Sequence, residues 1–411
     1  MKSFETKLQE YAEIAVRVGL NVQKDQKVMV TAPIECAYFV RMVTKEAYKA
    51  GARDVQFRWL DDELSLIKFE NAPQDSFKEY PQWIADGLET LAKEKTAFLT
   101  VFATDPELLK NVDPNRVADS NKASSIALKK YREMVMGGNN SWSIVSIPTE
   151  SWAKKVFPEA TTSDEAMEKM WDSIFNIVRI DKEDPVQAWR DHSENVKSKV
   201  DYLNNMKFKK FHYRAPGTDL MVEMPEKHVW MGAGDVTTDG IEFMPNMPTE
   251  EVFCLPHKFG VNGTLSSTLP LNYGGNLIEG FTLKFEEGKI VDFSAEKGYD
   301  TLKKLLETDE GASYLGEIAL VPHDSPISNS KTIFFNTLFD ENASCHFALG
   351  SAYPSCIEGG TEMTREELDK MGANDSLTHV DFMVGSDKLD IDAYTPDGQV
   401  ISLFRNGNWA F

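Results

Sequence analysis

The chain has 411 residues, 42% hydrophobic and 27% charged, and its 65 Asp and Glu outnumber 44 Lys and Arg for a formal net charge of −21. That length exceeds one ordinary domain core, so two domains are expected. The acidic balance excludes nucleic acid as a partner, because a phosphate backbone must be met by clustered Lys and Arg that displace its counterions.

No run approaches 18 apolar residues, and Met1-Lys2-Ser3-Phe4-Glu5 opens a charged helix rather than an apolar leader. Neither a membrane span nor a secretory signal is therefore expected. The four cysteines, Cys36, Cys254, Cys345 and Cys356, are scattered without a CxxC pair, so no disulfide framework is expected and the setting is cytoplasmic.

Taken in chain order, Phe4 to Leu20 carries apolar residues at helical spacing. Lys27 to Thr31 reads as a strand, Cys36 to Ala50 as a helix closed by Gly51, and Val55 to Leu60 as a second strand. Helical patterns follow at Glu63 to Asn71 and Gln82 to Lys93, then strands at Ala97 to Ala103 and Ile144 to Ile147. Strands separated by crossover helices predict an α/β first domain, a parallel sheet with flanking helices. No GxGxxG follows its first strand and no GxxxxGK[ST] occurs anywhere, which argues against a nucleotide-dependent enzyme.

Ser163 to Ile180 and Pro185 to Met206 read as long bridging helices. After Phe208 the texture changes to short strands and tight turns, with hairpins at Phe281 to Val291 and around Pro396-Asp397-Gly398, and one helix at Asp300 to Glu307. The expected division is an α/β domain with bridging helices at 1–206 and a mainly β, mixed α+β catalytic domain at 207–411.

Chemistry-bearing residues concentrate in the second part. In Thr378-His379-Val380-Asp381-Phe382-Met383-Val384 a strand puts His379 and Asp381 on one face and Val380, Phe382 and Val384 on the other. An Asp in such an apolar strand is costly to bury unless it is paired or holds a cation; a plain buried His–Asp pair is the competing reading. Glu317 heads the apolar run Ile318 to Val321, His346 lies among small residues, and Glu251 precedes Val252-Phe253. Glu250 and Glu251 face opposite sides of an extended chain, so only one joins a given site, and Glu251 is favoured. Each taken singly also reads as an exposed strand end, a satisfied core histidine or a surface loop.

Two Glu, two His and an Asp form a nitrogen and oxygen donor set suited to zinc, cobalt or manganese. Five ligands exceed what one catalytic zinc with an open position needs and suit two divalent metal ions sharing a carboxylate. No HExxH is present, which disfavours a helix-borne single-zinc protease.

The stretches Pro216 to Leu220, Asn246 to Phe253, Gly316 to Pro322, Phe335 to Tyr353 and His379 to Gly385 together resemble the thermophilic metalloaminopeptidase family, the aminopeptidase T and PepS-type enzymes. The resemblance spans nearly the whole chain. It implies that Glu251, Glu317, His346, His379 and Asp381 are metal ligands and that Tyr353, otherwise a packed aromatic before Pro354, is catalytic. It implies removal of N-terminal residues from short peptides, and a homodimer whose active site lies in an internal cavity. A non-catalytic metal- or peptide-binding protein is the alternative.

Overall fold

The computed structural model describes residues 2–411 apart from Thr104, Pro106 and Gly275. Strand β1 (Lys27–Pro33) pairs in parallel with β2 (Asp54–Leu60) on one side and β3 (Ala97–Phe102) on the other. Strand β4 (Trp142–Ser146) follows β3, and a two-residue strand, Asn246–Met247, returns to add to β4, also in parallel. Parallel neighbours need crossovers, and helices Ala37–Ala50, Gln82–Lys93 and Pro114–Ala127 lie in them. Val28, Val30 and Ala32 of β1 are buried, as expected for a strand in the middle of a covered sheet. Tyr11, in the helix Phe4–Ile14, ties that helix to the sheet: its hydroxyl donates to the Ser146 carbonyl at 3.0 Å and accepts from the Ser146 amide at 3.1 Å.

This parallel sheet belongs to a unit made of the chain up to Ser193 plus Gly234–Pro248; the second unit is Glu194–Ala233 with Thr249–Phe411. The division differs from the contiguous one expected at 206/207. It falls within the helix Pro185–Met206, and the segment holding Asn246–Met247 goes back to the first unit because its partner is β4.

The second unit is built on antiparallel pairing. An eight-stranded sheet runs in the order Lys289–Ser294, Thr282–Glu286, Val261–Ser266, Thr218–Glu223, Lys210–Ala215, Asp390–Tyr394, Val400–Arg405, Asn408–Trp409. Both expected hairpins lie in it. A five-stranded sheet contains β5 (Met231–Gly232), β6 (Val252–Cys254), β7 (Leu315–Leu320), β8 (His346–Gly350) and β9 (His379–Met383), in the order β9-β8-β7-β6-β5.

Alternation sorts the side chains of this smaller sheet into two populations. Val252, Cys254, Ile318, Leu320, Phe347, Leu349 and Phe382 enter one hydrophobic cluster together with Tyr213 and Phe281. Fully burying such a Leu, Ile or Phe contributes about 1.5–3 kcal/mol. A one-residue slip would exchange all of them for the polar face, so the apolar side holds the register. On the other side stand Phe253, Glu317, Ala319, His346, Ala348, His379 and Asp381, paired as Phe253 with Ala319, Ala319 with His346, Glu317 and Asp381 with Ala348, and His379 with Gly350.

One irregularity makes this sorting possible. Leu315 pairs with Leu349 and Glu317 pairs with Ala348, so the register shifts between them at Gly316. The bulge lets Leu315 face the core and Glu317, two residues on, face the opposite side. A Cβ on Gly316 would lie 2.4 Å from both the Gly350 and Ser351 carbonyl oxygens, so only glycine fits. Among the described residues no helix is long and apolar enough to cross a membrane.

Gly316→Ala is expected to lower stability by about 1–3 kcal/mol, since backbone atoms must move to admit the methyl. Gly87→Ala, inside the helix Gln82–Lys93 with nothing within 4 Å of the added carbon, is expected to raise it by about 0.5–1 kcal/mol. Urea unfolding of both variants checks the pair of opposite signs; a neutral Gly316→Ala would remove the bulge from the account.

Candidate metal centre

Strands β6 to β9 and the segment before β6 bring Glu251, Glu317, His346, His379 and Asp381 together. Glu251 Oε2 lies 3.0 Å from His346 Nε2, and Glu317 Oε1 lies 3.8 Å from the same nitrogen. His379 Nε2 is 3.3 Å from Glu317 Oε2 and 3.4 Å from Asp381 Oδ1. The result is two triads, Glu251–Glu317–His346 and Glu317–His379–Asp381, each with donor atoms within 4.8 Å of one another. Glu317 belongs to both, one oxygen turned to each.

The imidazoles are held from behind. His346 Nδ1–H donates to the Ser344 carbonyl at 3.0 Å, and His379 Nδ1–H donates to the Ser351 carbonyl at 2.7 Å. A carbonyl only accepts, so both rings carry a proton on Nδ1 and present Nε2 to the carboxylates. This is the way a protein orients histidines that hold a metal.

A sixth residue joins them that the sequence pattern left unplaced. Asp340 and Glu341 are adjacent and both buried, but they point to different places. Asp340 Oδ1 accepts from the Phe334 amide at 2.8 Å and Oδ2 from the Asn336 amide at 3.1 Å, so it braces the loop before the helix Thr337–Asp340. Glu341 instead lies within the electrostatic reach of Asp381, Glu251, His346 and Glu317. Asn342, fully buried, secures it: its Nδ2 donates to Glu341 Oε1 at 3.4 Å and to the Leu338 carbonyl at 3.0 Å, while its Oδ1 accepts the Glu250 amide at 2.7 Å. The Asn342 side chain thereby joins the segment carrying Glu251 to the one carrying Glu341.

Charge in this place is unbalanced. Burial pushes Glu317 up to about 7, with His379 opposing and Asp381 and Glu251 reinforcing the shift. Burial also drives Glu341 well above the carboxylate range, aided by Asp381 and Glu251. Burial disfavours a charged His346, but the Glu251 carboxylate, then Asp381 and Glu341, outweigh it and carry the ring up to about 10. Asp381 is likewise opposed by burial, yet His379 holds it below the usual range. Ionised together, the four carboxylates would exceed two protonated imidazoles by two charges, so without a cation the site must hold protons on Glu341 and Glu317, a need that coordinated cations would remove. The mixed nitrogen and oxygen donors fit divalent metal ions of the zinc, cobalt or manganese kind.

Tyr353 stands beside this cluster. Its ring centroid is 4.9 Å from that of His379 and 5.7 Å, edge to face, from that of Phe253. Burial raises its hydroxyl pKa well above the ordinary value, with Glu317, Asp381 and Glu341 adding to the shift and His379 opposing it, so the phenol keeps its proton at neutral pH. Cys345, next to His346 in the chain, is buried in the core, exchanging hydrogen bonds with the Val321 backbone through its thiol.

Residues 4–409 match the family described as thermophilic metalloprotease (M29). The chain is 53% identical to Aminopeptidase 2 of Geobacillus stearothermophilus, covering 100% of this chain and 99% of that one. It is 54% identical to Aminopeptidase AmpS of Bacillus subtilis (strain 168), with 100% of each covered. Among solved structures, wild-type AmpT from Thermus thermophilus superposes with a TM-score of 0.93 at 40% identity, again over 100% of both chains. A full-length match at these identities, on a fold whose second unit gathers a buried carboxylate and histidine cluster, leads to one conclusion: the chain belongs to the thermophilic metalloprotease family M29 and, with it, to the metalloaminopeptidases.

Proposed function

We propose that this enzyme holds two divalent cations and uses them to remove the N-terminal residue from short peptides. Glu251, Glu317 and His346 would hold one cation and Glu317, His379 and Asp381 the other, with Glu341 adding a further oxygen donor. The observation that carries this reading is the shared Glu317, flanked by two imidazoles whose Nδ1 protons are engaged by backbone carbonyls and whose Nε2 atoms face inward. The homodimer implied by the family resemblance and the cytoplasmic setting read from the sequence belong to the same reading; four free, buried cysteines are consistent with a reducing compartment.

When bound, such ions supply positive charge that acidifies water and polarises a peptide carbonyl. The chain's own residues do the rest. Glu317, Glu251, Asp381 and Glu341 confine charge to a small buried volume, where electrostatic effects exceed those in water. The Tyr353 hydroxyl, protonated at neutral pH, donates a hydrogen bond to the scissile carbonyl oxygen as negative charge develops there. Capture of the substrate's free α-amine, by a cation or by a carboxylate outside the cation-holding set such as Glu250, would make the enzyme an exopeptidase.

Four outcomes test the reading. A short peptide should be cleaved only with a free N-terminus; equal turnover of its N-acetylated form, followed by chromatography, would mark an endopeptidase. Tyr353→Phe should lower kcat by about 10²-fold or more with metal content unchanged, and near-normal kcat would return Tyr353 to a packing role. His379→Ala and Asp381→Ala should each lose metal, by elemental analysis, or activity, while Val380→Ala, which faces Leu349 on the core side, keeps both and costs about 1–3 kcal/mol of stability. In the parent enzyme a chelator should abolish anilide hydrolysis and added divalent metal restore it. Full metal content and activity in Asp381→Ala would remove the second triad from the mechanism.

A further inference from the structure

We infer that Phe253 and Met231 form the wall that receives the side chain of the substrate's first residue, so that the enzyme favours peptides beginning with an apolar residue. The inference rests on the proposed function and names its substrate class.

Strand β6 shows why Phe253 is placed this way. Val252 and Cys254 are buried in the core, whereas Phe253 between them is partly exposed. It stands on the face of the sheet that carries the metal-holding residues, paired with Ala319, and Ala319 is paired in turn with His346. On its other side Phe253 pairs with Met231 of β5, also partly exposed. Phe253 and Met231 pack against the rim of the core cluster, but neither is fully buried, so part of each stays accessible on the face beside the carboxylate cluster.

The residues between this wall and the two triads are small. Ala319 lies between Phe253 and His346, and Ala348 lies opposite both Glu317 and Asp381. Side chains at these positions reach no further than a methyl group, while Phe253 and Met231 stand at the β5–β6 edge. Tyr353 closes the arrangement, its ring edge to face with Phe253 and in contact with His379. A substrate whose carbonyl meets the Tyr353 hydroxyl therefore has its first side chain within reach of Phe253. Met231, Phe253 and Ala319 bring no charge to that place, so an aliphatic or aromatic side chain is stabilised there and an ammonium or carboxylate is not.

The competing role for Phe253 is to position Tyr353 alone, and substrate selectivity separates the two. The experiment uses the full-length, metal-loaded enzyme with leucine and alanine anilides, comparing wild type with Phe253→Ala, Phe253→Leu and Met231→Ala. Phe253→Ala should lower the leucine-to-alanine ratio of kcat/KM by roughly 10-fold or more, with Phe253→Leu intermediate. Calorimetric binding of free L-leucine against L-alanine should lose the same preference. If both anilides slow by one factor and the ratio stands, Phe253 acts only through Tyr353 and the inference is overturned. Should Phe253→Ala not fold, Met231→Ala carries the same comparison, and an unchanged ratio there counts equally against the wall. A wild type that cleaves neither anilide after metal loading would instead overturn the proposed function, and the wall with it.

Discussion

Like charges buried together cannot be left to themselves, and the second unit of this protein is organised around that constraint. Glu251, Glu317 and Glu341 are each less than a tenth exposed, with Asp381 beside them. In such surroundings a carboxylate gives up its charge, finds a counter-charge or coordinates a cation. The two histidines provide only part of the compensation. Much of the surrounding structure serves to keep these groups where they are despite the repulsion: carbonyls fix the imidazoles, Asn342 ties two distant segments, and the apolar face of the sheet holds the strands in register.

That apolar face deserves equal weight in explaining the chemistry. Phe347 packs on Tyr213 at 5.1 Å and Phe281 on Phe382 at 5.3 Å, so β8 and β9 are anchored from below by large rings. Their upper faces are thereby free to carry residues that would not hold a sheet together. Both triads found among the described residues lie in this second unit. The parallel sheet of the first unit, although of a kind that often binds nucleotides at its strand ends, has no phosphate-binding loop in its sequence.

Strand periodicity was the informative signal in the sequence, and it reached as far as local spacing allows. It placed His379 and Asp381 on one face because that relation is contained within three residues. It located the parallel strands and both hairpins for the same reason. Convergence of Glu251, Glu317 and His346 is a matter of pairing between β6, β7 and β8, which no local spacing encodes; their common identification came from the family resemblance. Glu341 was illegible because it sits in a short turn after Asp340, where neither helical nor strand periodicity says which way a carboxylate points. The return of Asn246–Met247 to the first sheet was hidden likewise, since two residues are too few to show alternation.

The Gly316 bulge carries a consequence of another kind. Leu315 and Glu317 lie on either side of a change of phase: the strand before it counts odd positions toward the core, and the strand after it counts them toward the carboxylate and histidine cluster. Chemistry here is therefore written in a reading frame that one inserted residue sets, and a single deletion in β7 would invert the meaning of the later positions of that strand while leaving their identities intact. The frame also reaches across strands. The Ser351 oxygen that crowds Gly316 is the one that receives the Nδ1 proton of His379, so the absence of a side chain at one residue governs the aim of an imidazole at another, 63 positions away in the chain.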